Sequence, residues 1–421
     1  MSASPHTDAL SFFEGIPPQS LARAFGTPLY VYSERLLREN CRVLKNLTDI
    51  PGFAVNYSVK ANANPLLLRI IREEGLVVDA MSPGELAIDL AAGFQPHEIL
   101  YISNNTRPDE MANAIAHGVL MSVDSLSQLD LYGKLNPGGR VLVRFNPGIG
   151  EGHSDKVITA GKKTKFGIAP GDMDSVCALL NQHKLTLVGI NQHIGSLFMQ
   201  PDGYLAACRV LLDIADQLPA PIRKNLSIID FGGGFGIPYH KRDCEEPLDL
   251  ARLGKELGQI LSEWRTKENY TGRFLIEPGR FVMAEACVLL GRVTAIKDNA
   301  GIHFSGTDIG FNVLMRPVLY DSYHEIEVYP KKPGPREERL QTITGNICES
   351  GDILAKDRTL PALLEGDLIG VLDAGAYGFS MSSNYTQRFR PCEVLIKNGG
   401  ARCIRHRETE QDLLRPFEGL L

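Results

Sequence analysis

The stretch Phe53-Ala54-Val55-Asn56-Tyr57-Ser58-Val59-Lys60-Ala61-Asn62 decides how the rest of the chain is read. Its apolar start predicts a buried strand over Phe53 to Val59, and Pro65 to Glu74 follows with helix-like apolar spacing. Lys60 therefore stands where a buried strand gives out, with an amine placed to form an imine. The same strand, polar turn and helix recur. Further strands are predicted at Leu76 to Asp79, Ile99 to Ile102, Leu120 to Val123, Val141 to Asn146, Leu187 to His193, Ser227 to Asp230 and Phe274 to Ile276. Helices are predicted at Ser82 to Ala92, Arg107 to His117, Ser125 to Leu135, Met173 to Gln182 and Tyr204 to Leu218. Eight short apolar strands alternating with helices predict a closed (β/α)8, TIM-like barrel rather than an open sheet. Such barrels carry their chemistry just beyond the carboxyl ends of the strands, where this chain has its polar and glycine residues.

After Arg280 the texture changes. Ala286 to Ile296, Glu325 to Tyr329, Leu340 to Gly345, Leu368 to Leu372 and Pro391 to Lys397 read as strands joined by Pro- and Gly-rich turns, without long helices. The expected layout is α/β: a barrel over residues 36–282 and a second, mostly β, Greek-key-like domain from residues 1–35 and 283–421. The early strand Leu29 to Tyr32 is assigned to that second domain, which makes it discontinuous. Gly148 to Thr164, rich in glycine and charge, is expected to be mobile.

With 421 residues, 43% hydrophobic and 22% charged, the chain can bury a large core. A net charge of −6, with no basic block denser than Lys162-Lys163 and Lys165, argues against nucleic acid as a partner. Met1 to Asp8 has no basic and apolar signal pattern, and no stretch is apolar for long enough to span a membrane, so no membrane partner and a cytoplasmic location are expected. Eight cysteines without a close pair in sequence argue against a disulfide framework and against a metal site.

Each motif has an ordinary reading when taken singly. Lys60 can be a solvated lysine, Asp230-Phe231-Gly232-Gly233-Gly234-Phe235-Gly236 a structural turn, Glu277-Pro278-Gly279-Arg280 a strand-end ion pair, and His193 a satisfied core histidine. Together they supply what pyridoxal 5'-phosphate requires: an amine, backbone amides for a phosphate, a flat group against the ring and a charged partner for the pyridine nitrogen. The glycine run is neither a dinucleotide fingerprint nor a nucleotide-triphosphate loop. Arg144 breaks an apolar strand and needs an anionic partner inside the barrel, for which Glu277 is the obvious one.

On these motifs, with Gly26-Thr27-Pro28-Leu29-Tyr30-Val31-Tyr32, His193-Ile194-Gly195-Ser196, Cys348-Glu349-Ser350-Gly351-Asp352 and Gly375-Ala376-Tyr377-Gly378, the chain resembles the fold-type III pyridoxal phosphate decarboxylases over nearly its whole length. Among them it is most similar to the diaminopimelate decarboxylases, which form L-lysine and CO2 from meso-diaminopimelate. The resemblance implies a homodimer with shared active sites. It implies Lys60, His193 and Cys348 as catalytic, Cys348 as the acid that reaches across the interface with Asp352 in support. It implies a cofactor cradle of Lys60, Asp79, Arg144, His193, Ser196, Gly233, Gly234, Glu277, Gly279, Arg280 and Tyr377. Arg280, Arg316 and Tyr320 are implied around the substrate's distal carboxylate and Glu349 at its distal amine, with Tyr377, near the phosphate, also among the substrate-binding residues.

Three departures bear on substrate: Leu197 replaces a usual Gln after Ser196, Asp308-Ile309-Gly310-Phe311-Asn312-Val313 precedes Arg316, and Thr386 follows Tyr385. Decarboxylation of a related modified, carrier-bound or diamino-acid substrate in a specialised biosynthetic pathway is the alternative they keep open. An amino-acid racemase of similar fold would carry Arg at the pyridine nitrogen, which Glu277 opposes. A regulatory homologue without cofactor would have lost Lys60, the cradle or Cys348, and all three are intact.

Overall fold

A computed structural model describes residues 11–149, 161 and 164–420. Met1 to Asp8, Lys162-Lys163 and most of the stretch from Gly148 to Thr164 lie outside the described residues. The chain divides into two compact units, one of Arg38–Pro238 and Glu246–Val282, the other of Met1–Leu37, Tyr239–Glu245 and Met283–Leu421.

After β1 (Leu29–Ser33), the strands β2 (Phe53–Tyr57), β3 (Val77–Ala80), β4 (Ile99–Ile102), β5 (Leu120–Val123), β6 (Arg140–Arg144), β7 (Thr186–Asn191), β8 (Ile228–Asp230) and β9 (Arg273–Ile276) follow. β2 to β9 close into a parallel barrel in sequence order. The intervening helices start on local signals. Asn64, Ser82, Ser125 and Asp249 accept backbone N–H groups of Leu66, Glu85, Gln128 and Arg252 at 3.0, 3.2, 3.2 and 2.9 Å. Proline opens the helices Pro65–Glu73, Pro83–Ala92, Pro108–Ala116 and Pro201–Gln217.

Several barrel strands end before the sequence suggests, β2 and β6 among them. β2 stops at Tyr57 because the Asp79 carboxylate accepts the Val59 N–H at 2.8 Å and the Ser58 hydroxyl at 2.9 Å, drawing Val59–Ala61 into a 3-10 turn. β6 stops at Arg144, after which Phe145 bridges to Ile168. The helix Leu250–Glu268 was not foreseen, although Leu253, Leu257, Leu261 and Trp264 line one buried face.

The other unit holds β10 (Cys287–Asn299), β11 (Ile302–Thr307), β12 (Ile326–Tyr329), β13 (Glu338–Thr344), β14 (Ile353–Pro361), β15 (Leu368–Val371), β16 (Cys392–Lys397) and β17 (Gly400–Arg405). They form one sheet with β1, in the order β14-β13-β11-β10-β1-β16-β17, with β15 on β10 and β12 on β15. β1 runs antiparallel to β10 and parallel to β16, and all five of its residues are buried. Its core gathers Phe12, Phe13, Leu29, Val31, Val288, Leu290, Val394 and Ile396.

Candidate active site

Side chains alternate across a strand, so residues two apart share a face. In the barrel, Leu100, Ile102, Leu142, Val188 and Leu275 pack together with Ala54, Leu120 and Ile228 into an apolar tier. Two residues further along β2, β5, β6, β8 and β9 the same inward face carries Asn56, Ser122, Arg144, Asp230 and Glu277, all buried. An apolar plug closes the barrel below, and a polar tier stands above it at the strand ends.

The polar tier is electrostatically crowded. Asp230 Oδ2 and Glu277 Oε1 are buried without a conventional partner, and the two acids are hydrogen-bonded to each other. Two carboxyl groups can do this only by sharing a proton. Burial and the Asp230 charge push Glu277 well above the ordinary carboxylate range, against the opposing pull of Lys60 and Arg144. Burial also raises Asp79, with Glu277 adding to the shift and the Lys60 charge opposing it.

The expected direct Arg144–Glu277 pair is not formed. The Arg144 guanidinium lies 4.7 Å from the Phe166 ring centre, its Nη2 has no hydrogen-bond partner, and it is surrounded at longer range by Glu277, Asp124 and Asp230. Arg144 is thus balanced by a cluster of acids, because Glu277 is held by Asp230.

Lys60 sits in the turn after β2, and its charge acts on Asp79, Glu277 and His193. His193 follows β7, and its Nδ1 accepts the Gly233 N–H at 3.0 Å. Burial and the Lys60 and Arg144 charges hold the imidazole well below its usual pKa, so it is neutral, with its proton on Nε2.

The loops after β2, β7, β8 and β9 approach one another closely at glycines. A Cβ on Gly233 would lie 1.9 Å from Glu277 O, one on Gly234 2.7 Å from Gly195 O, and one on Gly279 3.0 Å from the Ala61 Cβ. Gly234 also has a φ of 105°, which side chains rarely adopt. Arg280 is buried, and its Nη2 donates to Ser196 Oγ at 2.8 Å. A phosphate-bearing pyridine fits these groups: the buried Glu277 carboxyl and the unpartnered Arg144 Nη2 are polar, the imidazole is flat and neutral, and the glycines keep side chains off the backbone beside Ser196 and Arg280.

The barrel thus brings together Lys60, Asp79, Arg144, His193, Ser196, Gly233, Gly234, Glu277, Gly279 and Arg280. The remaining expected residues lie in the other unit. Arg316 and Tyr320 bound the short helix Arg316–Tyr320. Tyr377 takes a positive φ of 58°. Cys348 and Glu349 are exposed on a loop pinned by Asp352, whose carboxylate accepts the N–H groups of Ile347 and Phe311, both at 2.7 Å. The Tyr385 hydroxyl donates to Glu349 and its ring stacks on Phe311 at 5.5 Å.

Sequence reasoning gave no role to Asp230 or Tyr204. Asp230 was visible as an acid ending an apolar strand. The Tyr204 hydroxyl donates to Gly232 O at 3.1 Å and braces the glycine run, and no local pattern announces it. Cys392 and Cys403, eleven positions apart, have Sγ atoms 3.6 Å apart across β16 and β17, a proximity that spacing along the chain conceals.

Residues 35–284 match the family described as pyridoxal-dependent decarboxylase, pyridoxal binding domain. The chain is 42% identical to a diaminopimelate decarboxylase of Methanothermobacter thermautotrophicus, over 95% of this chain and 94% of that protein. It is 35% identical to the diaminopimelate decarboxylase of Escherichia coli, over 94% of each. The crystal structure of diaminopimelate decarboxylase from Helicobacter pylori complexed with L-lysine superposes with a TM-score of 0.87 at 28% identity, over 96% of this chain and all of that one (100%). A buried acid pair, a neutral histidine and a glycine cradle at the strand ends of one barrel agree with these likenesses, and the chain belongs to the pyridoxal-dependent decarboxylase family.

Proposed function

We propose that this enzyme decarboxylates meso-diaminopimelate to L-lysine and CO2, in the cytoplasm, as a homodimer with shared active sites. The observation that carries the reading is the near-full-length likeness to enzymes of that name, 42% identical over 95% of the chain. In this reading residues 36–282 hold the cofactor, and residues 1–35 and 283–421 form the β domain.

Pyridoxal phosphate, when bound, supplies an electron sink for the carbon that loses CO2. Lys60 would hold its aldehyde carbon through the side-chain amine. His193 would offer a neutral, flat ring to the pyridine, and the acid pair would keep a proton available at Glu277 for the pyridine nitrogen. Ser196, Gly233, Gly234, Gly279, Arg280 and Tyr377 hold the phosphate. Asp79 orients the Lys60 turn through Ser58 and Val59, and Arg144 balances the acids around it.

Arg280, Arg316 and Tyr320 orient the substrate through its distal carboxylate, Glu349 binds the distal amine, and Tyr377 contacts the substrate from beside the phosphate. A guanidinium offers a planar pair of donors to a carboxylate, and a substrate without one leaves buried cations uncompensated. Cys348 moves a proton from Sγ to the carbon vacated by CO2, on a loop that Asp352 keeps in place.

A related modified, carrier-bound or diamino-acid substrate is the second reading, and one observation favours it. Leu197, where the resembling enzymes carry Gln, takes a φ of 68° beside Ser196, a costly conformation for a branched side chain. Asp308, by contrast, has an internal role: its carboxylate accepts the Arg292 N–H at 2.7 Å and the Thr27 hydroxyl at 2.5 Å.

A substrate panel read by CO2 release tests both readings. Diaminopimelate should exceed L-lysine and L-ornithine in kcat/KM by at least about 100-fold, and Arg316→Ala should lose about 2 to 4 kcal/mol of that preference. Inert diaminopimelate beside a reactive amidated or acylated analogue would overturn the lysine-forming assignment.

A further inference from the structure

Arg316 is 2% exposed, and its guanidinium is held on several sides. Nη1 is 2.8 Å from His324 Nε2, Nη2 is 3.4 Å from Ser322 Oγ, and Cζ stands 4.9 Å from the Tyr239 ring centre. His324 is also 2% exposed, with Nδ1 2.8 Å from the Leu372 carbonyl oxygen. A guanidinium only donates and a carbonyl only accepts. One state of the ring satisfies both neighbours: neutral, with the proton on Nδ1 and the lone pair on Nε2. An imidazolium would turn a second N–H toward Arg316 Nη1 and set two cations in contact inside the protein.

We propose that neutral His324 is a positioning residue for Arg316, fixing the guanidinium for the substrate's distal carboxylate, and that protonation of His324 releases that hold. The proposal rests on the reading of Arg316 given above and adds a residue which that reading does not contain. A lysine or a second carboxylate at 324 could not substitute, because the site needs an acceptor toward Arg316 and a donor toward Leu372 on one small rigid group.

The charged surroundings bear on the titration. The Tyr239 ring meets His324 edge-on at 5.4 Å, and Arg358 donates to the His324 carbonyl at 3.0 Å while lying over the Tyr323 ring. Tyr323 donates to Glu325, which Arg242 also pairs with at 3.1 Å. Asp373, whose charge acts on Arg316, is paired with Lys241 at 3.1 Å, and Lys241 also holds Glu285 at 2.9 Å. Arg316 and Arg358 oppose a charged imidazole, while Asp373 can titrate beside Arg316 in its own right. The test must therefore separate His324 from Asp373.

The cofactor-loaded enzyme is assayed with meso-diaminopimelate from about pH 5.5 to about pH 8.5, spanning the histidine range. His324→Gln keeps a donor and an acceptor on one amide but cannot titrate, and His324→Leu removes both. In the wild type, KM should rise at least about fivefold on acidification with kcat changing much less, and in His324→Gln that rise should disappear. His324→Leu should raise KM about tenfold or more already at the alkaline end. An unchanged KM profile in His324→Gln overturns the proposal in favour of Asp373, and it does so even if the leucine variant fails to fold. Ring ¹⁵N shifts of His324 give a readout independent of turnover: an Nδ1–H ring supports the proposal, and an Nε2–H ring overturns it. Absence of diaminopimelate turnover in the wild type would instead count against the proposed function, so the two failures are distinct.

Discussion

Glu277 and Asp230 hold a proton that the unfolded chain would release at ordinary carboxylate pH, because burial raises both acids in the fold and the Asp230 charge raises Glu277 further. The folded state therefore binds more protons than the unfolded state above the usual carboxylate range, and its stability falls as pH rises through that window. In Asp230→Asn the like-charged neighbour is gone and an amide can donate to Glu277, so Glu277 ionises more easily. Between about pH 5 and pH 8 the cofactor-free variant should lose about 1 to 2 kcal/mol less stability than the wild type, at about 1.4 kcal/mol per pK unit. Denaturant midpoints measure this, and parallel curves for the two proteins would refute the shared proton. Other raised acids such as Asp89, pushed up to about 9 by burial, contribute equally to both curves. At this scale Arg144 and Glu277 were legible, since a charge in an apolar strand demands an explanation. Their direct pairing was misread, because Asp230 looked like an ordinary residue opening a glycine turn.

Elements were legible where the buried face is apolar. β4 and β5 have the bounds that their apolar runs suggest. β11 was missed because it buries His303, Ser305 and Thr307 and exposes Ile302, which inverts the usual alternation. β14 was missed because Lys356, Asp357 and Arg358 interrupt it, with Asp357 at a φ of 51°. In the unforeseen helix Leu250–Glu268, Gly254 and Gly258 weaken the helical signal, yet a Cβ on Gly254 would lie 2.0 Å from Leu47 O. The glycine loop after β8 obeys the same logic of close approach. Gly233→Ala would put a methyl group 1.9 Å from the Glu277 carbonyl oxygen, so one of the two loops must move. The variant should bind pyridoxal phosphate at least about tenfold more weakly, the scale of one lost 1.4 kcal/mol contact. Equilibrium titration of cofactor absorbance checks this, and wild-type affinity would mean that the cradle tolerates a side chain.

The whole chain folds as two units whose connectivity was only partly legible. The change of texture after Arg280 marks one boundary, but Tyr239–Glu245, a charged loop in sequence, joins the β unit. It does so through Lys241, held between Glu285 and Asp373, and Arg242, which donates to the Ile326 carbonyl at 2.9 Å. Such ties depend on partners more than 40 positions away, which no local pattern encodes. If Cys348 serves a neighbour's cofactor, as proposed, inactive Lys60→Ala and inactive Cys348→Ala subunits should complement one another. Random exchange of equal amounts should restore about a quarter of wild-type activity, since half the dimers are mixed and each carries one intact site. No recovery after verified exchange would exclude shared sites.

The central place of β1 in its sheet also sets an order in time. Both strands that flank it, β10 and β16, are synthesised long after it, the nearer one roughly 250 residues later. At about 5 to 20 residues per second, a growing chain carries this segment without its partners for roughly 10 to 50 s. Leu29-Tyr30-Val31-Tyr32 is apolar, β-prone and uncharged, so during that interval it is the segment a ribosome-bound chaperone has most reason to cover. The barrel can close on the ribosome, whereas the sheet must wait for the last strands to emerge.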